Sequence, residues 1–110
     1  MIKTFVWVSR HKLTEKQVEH ANLLTGNGNI LEYGDVDNFD TVAVDKLYQR
    51  LESIGKDAVV VGVVHAGLSA KLVKRGYDVA VAYNVNRAPE GEKPQFVFER
   101  WEVIRGCGKE

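Results

Sequence analysis

One cysteine, two prolines and no excess of charge of either sign leave this chain short of the features that sort small proteins quickly. A lone Cys107 cannot close an internal disulfide, so the chain is not a cystine-stapled scaffold, and a reducing cytoplasm is its expected home. Fifteen basic and fifteen acidic side chains cancel. No global field is then present to hold duplex nucleic acid or an anionic membrane, although a local cluster would still suffice for a small anion. No apolar run approaches the roughly 20 residues that span a bilayer. The start, Met1-Ile2-Lys3-Thr4-Phe5, enters a strand directly and carries no leader-type cleavage signal. Both prolines, Pro89 and Pro94, fall in one polar loop, so nothing interrupts the elements before it.

What the chain does have is apolar runs of the buried kind. Residues 4–8 and 58–64 are continuous rather than alternating, as expected of central parallel strands covered on both faces. After the first run, Thr14 and Gln17 stand in the relation of a capping box, opening a helix with Val18, Ala21 and Leu24 on one side and Gly26 at its end. His20 is expected to face out of it. Residues 30–33 read as a short second strand. An acidic turn with Asp35, Asp37 and Asp40 follows, in which a hard cation is far less common than simple solvation. From Thr41 a second helix sets Val44, Leu47, Leu51 and Ile54 in one stripe and stops at Gly55. A third helix is expected over 68–75, a fourth strand over 78–85, and an alternating, half-exposed last strand over 95–104.

The order of elements predicts a three-layer Rossmann-like α/β domain, with a mostly parallel sheet of about five strands in the order 2-1-3-4-5. The loop before the last strand is too short for a parallel crossover, so that strand should be antiparallel. Residues 1–104 form one domain on this view, with 105–110 a flexible tail. Strand order reverses between strands one and three, and open α/β sheets bind ligands at such a point, outside the carboxyl ends of the strands. Three segments end there: Ser9, Arg10 and His11; His65, Ala66 and Gly67; and Asn84, Asn86 and Arg87.

Each segment has two interpretations. Arg10 would bind a phosphate through its guanidinium and His11 would move a proton near neutral pH, or the two belong to a solvated basic loop with Lys12. Gly67 would let backbone N–H groups at a helix start approach an anion, or it merely makes a turn beside a His65 satisfied by backbone. Asn84 and Arg87 would hold a base or ribose, whereas Asn86 also suits a turn. Trp7 reads as core, and Trp101 as core or part of a dimer face. The three histidines lack a common metal-ligand spacing, so no metal and no cofactor is expected. Neither a P-loop nor a dinucleotide fingerprint is present.

The string Ser9-Arg10-His11-Lys12-Leu13-Thr14-Glu15-x-Gln17 resembles the opening of small CRISPR-accessory proteins, single-domain relatives of the CARF (CRISPR-associated Rossmann fold) sensors. The far end is similar as well: Asn86-Arg87, a charged loop with Gly91, then Phe96-x-Phe98. Together these cover about a third of the chain. The resemblance implies a ring nuclease of the cytoplasm, a metal-independent enzyme that binds cyclic oligoadenylate and cuts it, ending a type III CRISPR signal. It implies Arg10, His11 and His65 as catalytic groups, Ser9, Ala66 and Gly67 around phosphate oxygens, and Asn84, Asn86 or Arg87 on adenine or ribose. A homodimer with the cyclic ligand on its twofold axis is the implied working unit. A non-catalytic nucleotide sensor or sponge, or an accessory protein acting through protein contacts, are the alternatives.

Overall fold

Side chains on a strand alternate between faces, and β1 (Thr4–Val8) has an apolar group for each: Val6 and Val8 enter one core, Phe5 and Trp7 the other. The computed structural model describes residues 3–9, 11–26, 28–33 and 41–108. The elements that follow β1 are α1 (Glu15–Thr25), β2 (Ile30–Glu32), α2 (Thr41–Ile54), a 3₁₀ turn (Lys56–Ala58), β3 (Val59–Val63), α3 (Ala66–Lys74), β4 (Asp78–Asn86) and β5 (Phe96–Ile104). They form a five-stranded sheet in the order β2-β1-β3-β4-β5, parallel except for the last pair. The expected architecture and strand order are both present. Among the described residues no helix is long and apolar enough to cross a membrane.

The two faces are filled differently. α2 and α3 cover one, bringing Leu47, Leu51, Leu68 and Leu72 onto Val6, Val61 and Val79. α1 covers the other, where Ala21 meets an aromatic cluster. In that cluster the Trp101 ring lies 5.1 Å from Phe5, 5.5 Å from Trp7 and 5.1 Å from Phe98. Gly62 makes room for it, since a Cβ there would stand 2.6 Å from Phe5 Cζ and 2.8 Å from Trp7 Cε3. Trp101 is therefore core within a single copy, and its Nε1–H donates to the Gln17 carbonyl of α1 at 3.1 Å.

Phe98 and Trp101 are three apart and would face opposite ways in a regular strand. They face the same way because the register slips between Tyr83 and Asn84: Tyr83 pairs with Arg100 and Asn84 with Phe98, leaving Glu99 as an extra, bulged residue. On the unbroken side of the slip, Tyr83, Arg100, Glu102 and Ile104 share the α3 side with Val79 and Val81.

Helix boundaries follow their caps. The Thr14–Gln17 capping box is formed, with the Gln17 N–H donating to Thr14 Oγ1 at 3.2 Å and the Thr14 N–H to Gln17 Oε1 at 2.9 Å. Gly26 ends α1 in the left-handed conformation, φ 73°. The buried side of α1 departs from the expected stripe: Ala21 and Thr25 are buried, with the Thr25 hydroxyl donating to the Ala21 carbonyl, while Leu24 lies at the margin. His20, expected to face solvent, packs edge-on against Phe98 at 5.6 Å. The first residues after β5, expected to be a loose tail, are fastened. The Gly106 N–H donates to Asp78 Oδ1 at 2.8 Å and the Cys107 N–H to the Val73 carbonyl at 2.8 Å.

Candidate functional site

Val8 pairs with Val63, so the chain leaves two adjacent parallel strands at the same level, and the loops after them stand side by side at the carboxyl end of the sheet, the place where open α/β sheets form a ligand crevice. On the β1 side the backbone of His11 is held twice. Its N–H donates to Ser9 Oγ at 3.1 Å, and its carbonyl accepts from Trp7 Nε1–H at 2.6 Å. A core tryptophan thus fixes this turn, and the His11 side chain is left exposed. Ser9 is buried, with its hydroxyl oxygen engaged in the turn. Arg10 stands between them in the chain and lies outside the described residues, as do Asp35, Asp37 and Asp40.

On the β3 side, α3 begins at Ala66, two residues earlier than the apolar pattern suggests, because His65 is its N-cap. His65 Nδ1 accepts the Leu68 N–H at 3.1 Å and the His65 carbonyl accepts the Ser69 N–H at 3.0 Å. The Nδ1 lone pair is used in the cap, so the neutral ring carries its proton on Nε2. The ring folds back over Gly67, where a Cβ would stand 2.9 Å from His65 Cε1. The glycine accommodates the capping imidazole. Ala66 and Gly67 supply the first N–H groups of the helix, which have no carbonyl one turn back to bond to.

The cap is open to measurement. His65→Ala should cost about 0.5–2 kcal/mol, the usual range for losing an N-cap acceptor. His65→Asn, which keeps an acceptor, should recover most of that. Urea unfolding midpoints of the three proteins are the check, and three equal midpoints would remove the cap from the account.

The third segment does not join the other two within one copy. β3 ends at Val63, while β4 runs on to Asn86, about five residues or ~17 Å further. The β4–β5 hairpin thus projects past the sheet as an arm. Asn86 is the loop's internal fastening, its Oδ1 accepting the N–H of both Ala88 and Gln95 at 3.0 Å. Arg87 faces Glu99 at 3.6 Å, and Asn84 is exposed on the arm's α1 side.

Among the described residues no three His, Cys, Asp or Glu side chains gather as metal ligands. Burial, with the Glu52 charge adding to it, pushes the Tyr77 hydroxyl above its usual range. Tyr77 precedes β4 at the opposite end of the sheet, so this displaced titration reflects packing and does not mark the crevice. Comparison of the chain with protein families, with curated proteins and with solved structures found no match.

The sequence reasoning passed over a groove of about 590 Å³ that runs along α3 from Ala66 to Lys74, between the helix and the β4–β5 face. Val64, Ala70, Val73, Val81 and Ile104 line it. A signal was present: three helices serve two faces of five strands, and the closing hairpin brings no helix to the α3 side of β5.

Proposed function

We propose that this domain is a ring nuclease, binding a cyclic oligoadenylate at the carboxyl end of its sheet and cutting it to linear fragments. The observation that supports this most is the juxtaposition, at the reversal of strand order, of the pinned turn at His11 and the amino end of α3, which leave adjacent strands. Helix amino ends favour anions through their unpaired N–H groups and dipole. A phosphodiester is the anion that the flanking segment, Ser9, Arg10 and His11, suits by residue type.

In the cut itself a ribose 2′-oxygen attacks the neighbouring phosphorus and the 5′-oxygen leaves, giving a cyclic phosphate end. The 2′-hydroxyl gives up a proton and the 5′-oxygen gains one. His11, exposed on a rigid turn, is the group assigned to that transfer. Arg10 and the N–H groups of Ala66 and Gly67 stabilise charge on the phosphate oxygens. His65 acts as a positioning residue, since its Nδ1 is committed to the cap. One crevice is small beside a ring of several nucleotides, so the unit proposed is a homodimer with the ligand on its twofold axis. In that unit Asn84 and Arg87, out on the arm, contact the base or ribose from outside the crevice.

Incubation of the purified protein with labelled cyclic tetra-adenylate, with and without excess EDTA, is the direct test. Linear fragments ending in a cyclic phosphate, formed equally with the chelator, are expected. Intact ligand retained on the protein would replace the nuclease with a sensor or sponge. Neither cleavage nor retention would leave a domain that acts through protein contacts.

A further inference from the structure

Residues three and four apart share one side of a helix. In α3, Ala66, Ser69, Ala70 and Val73 make such a side along the groove, with Lys74 beside them at the last turn. Val81 and Ile104 form the facing wall. At about 590 Å³ the groove has the size of a small-molecule site, and like such sites it is apolar with a few polar groups. Its apolar lining is open to water, with Val64 65 % and Ile104 43 % exposed, so a ligand that covers it gains hydrophobic free energy.

Two of the polar groups are uncommitted. Ser69 is only 7 % exposed, yet its hydroxyl makes no hydrogen bond among the described residues. No fully enclosed side-chain oxygen among those residues lacks a partner, so this hydroxyl opens on the groove that Ser69 lines. A hydroxyl so placed is costly to leave unpaired and calls for a polar atom on whatever covers it. Lys74, exposed at the end of α3, enters no ion pair among the described residues. None of the residues lining the groove is acidic. The carbonyls of Leu72 and Val73, at the negative end of the helix dipole, already accept the N–H groups of Tyr77, Gly76 and Cys107. Glu102, on the same side of the sheet, is held by Arg100 at 3.2 Å. The charge offered at this end of the groove is therefore that of Lys74.

We propose that the groove binds an amphipathic carboxylate. Its acyl chain lies on Val64, Ala70 and Val81, an oxygen near its head accepts the Ser69 hydroxyl, and its carboxylate meets Lys74. An N-acyl derivative of an apolar amino acid has these parts in that order, and its own side chain meets Val73 and Ile104. This site uses none of Ser9, Arg10 or His11, so it stands apart from the nucleotide reading.

Calorimetric titration with N-octanoylleucine, its methyl ester and decanoate tests each part. N-octanoylleucine should bind saturably at one site per chain, and the uncharged ester about tenfold more weakly, the worth of one charge-assisted hydrogen bond. Lys74→Gln should weaken the acid by the same factor and leave the ester unchanged. Ser69→Ala should weaken acid and ester by about threefold to tenfold and leave decanoate, which has no amide, unchanged. Ala70→Trp, which fills the groove from the exposed side of α3, should abolish binding of all three. Cys107, the only cysteine and part of the lining, reports the place: saturating N-octanoylleucine should slow its alkylation by iodoacetamide. Circular dichroism confirms that each variant is folded, and Ala70→Phe replaces Ala70→Trp if that one is not. Absence of saturable binding, equal affinity for acid and ester, indifference to Ser69→Ala or to Ala70→Trp, or alkylation of Cys107 at an unchanged rate would each overturn the proposal. Cleavage of cyclic oligoadenylate enters none of these readouts, so the acyl site and the nuclease stand or fall separately.

Discussion

Trp101→Ala should unfold this domain at temperatures where the natural chain is folded, with a loss of about 3–5 kcal/mol, the range for truncating a large buried aromatic. Three aromatic rings rest on the indole, and its Nε1–H ties β5 to the Gln17 carbonyl across 84 residues of chain. Its removal opens a cavity between α1 and the sheet and takes away the hydrogen bond from β5 to that carbonyl. A domain of this size has a total stability of about 5–15 kcal/mol. At about 4–8 °C per kcal/mol, the thermal midpoint should fall by ~12–40 °C. Trp101→Phe should keep much of the packing and lose the hydrogen bond, about 0.5–1.5 kcal/mol. Calorimetry on the two variants decides it. A drop below 5 °C for Trp101→Ala would mean that the aromatic cluster does not hold the α1 face together.

On the nuclease reading proposed above, His11→Ala should lower the single-turnover rate of cleavage by about 10²–10⁴-fold, the usual effect of removing a positioned acid or base. Affinity should hardly change, because the turn is fixed through the backbone of residue 11 and not through its ring. Arg10→Ala should have the complementary signature, weakening binding by about 1.5–3 kcal/mol, the range for hydrogen bonds to a charged group. Rates at saturating ligand and titrations with the uncut ring separate the two effects. A His11→Ala protein that cuts at the natural rate would remove proton transfer by His11 and leave catalysis to phosphate alignment alone.

Much of the fold was legible because its strongest signals are local. Unbroken apolar runs marked β1 and β3 as central, Thr14 and Gln17 marked the start of α1, and a short loop required β4 and β5 to run antiparallel. What was hidden depends on pairing across the chain. Nothing in the pattern of β5 shows that Glu99 is an extra residue, yet that bulge turns Phe98 and Trp101 to one side and makes Trp101 core. Histidine is an uncommon N-cap, so its role at the head of α3 was not read, and the helix was expected two residues late. The reversal of strand order between β1 and β3 was foreseen, while the reach of the β4–β5 arm was not. Arm length is set by where pairing with β3 stops, which leaves no mark in β4 itself.

The buried carboxylate of Asp78 ties together parts of the chain that are far apart in sequence. Lys3 Nζ stands 4.0 Å from it, Arg105 Nε stands 3.6 Å from it, and Gly106 donates its N–H to it. A Cβ on Gly106 would stand 2.3 Å from the carbonyl carbon of Gly76, so the closing segment is seated against the turn after α3. Lys3 and Gly106 are thereby neighbours in space, at the amino end of the parallel strands. Connectivity can then be redrawn without redrawing the fold. A circular permutant that joins residue 108 to residue 3 by a short glycine linker, and opens new ends in the loop between β4 and β5, would keep every strand pairing. Labels or surface tethers attached near residue 3 or residue 108 would likewise point away from the carboxyl end of the sheet.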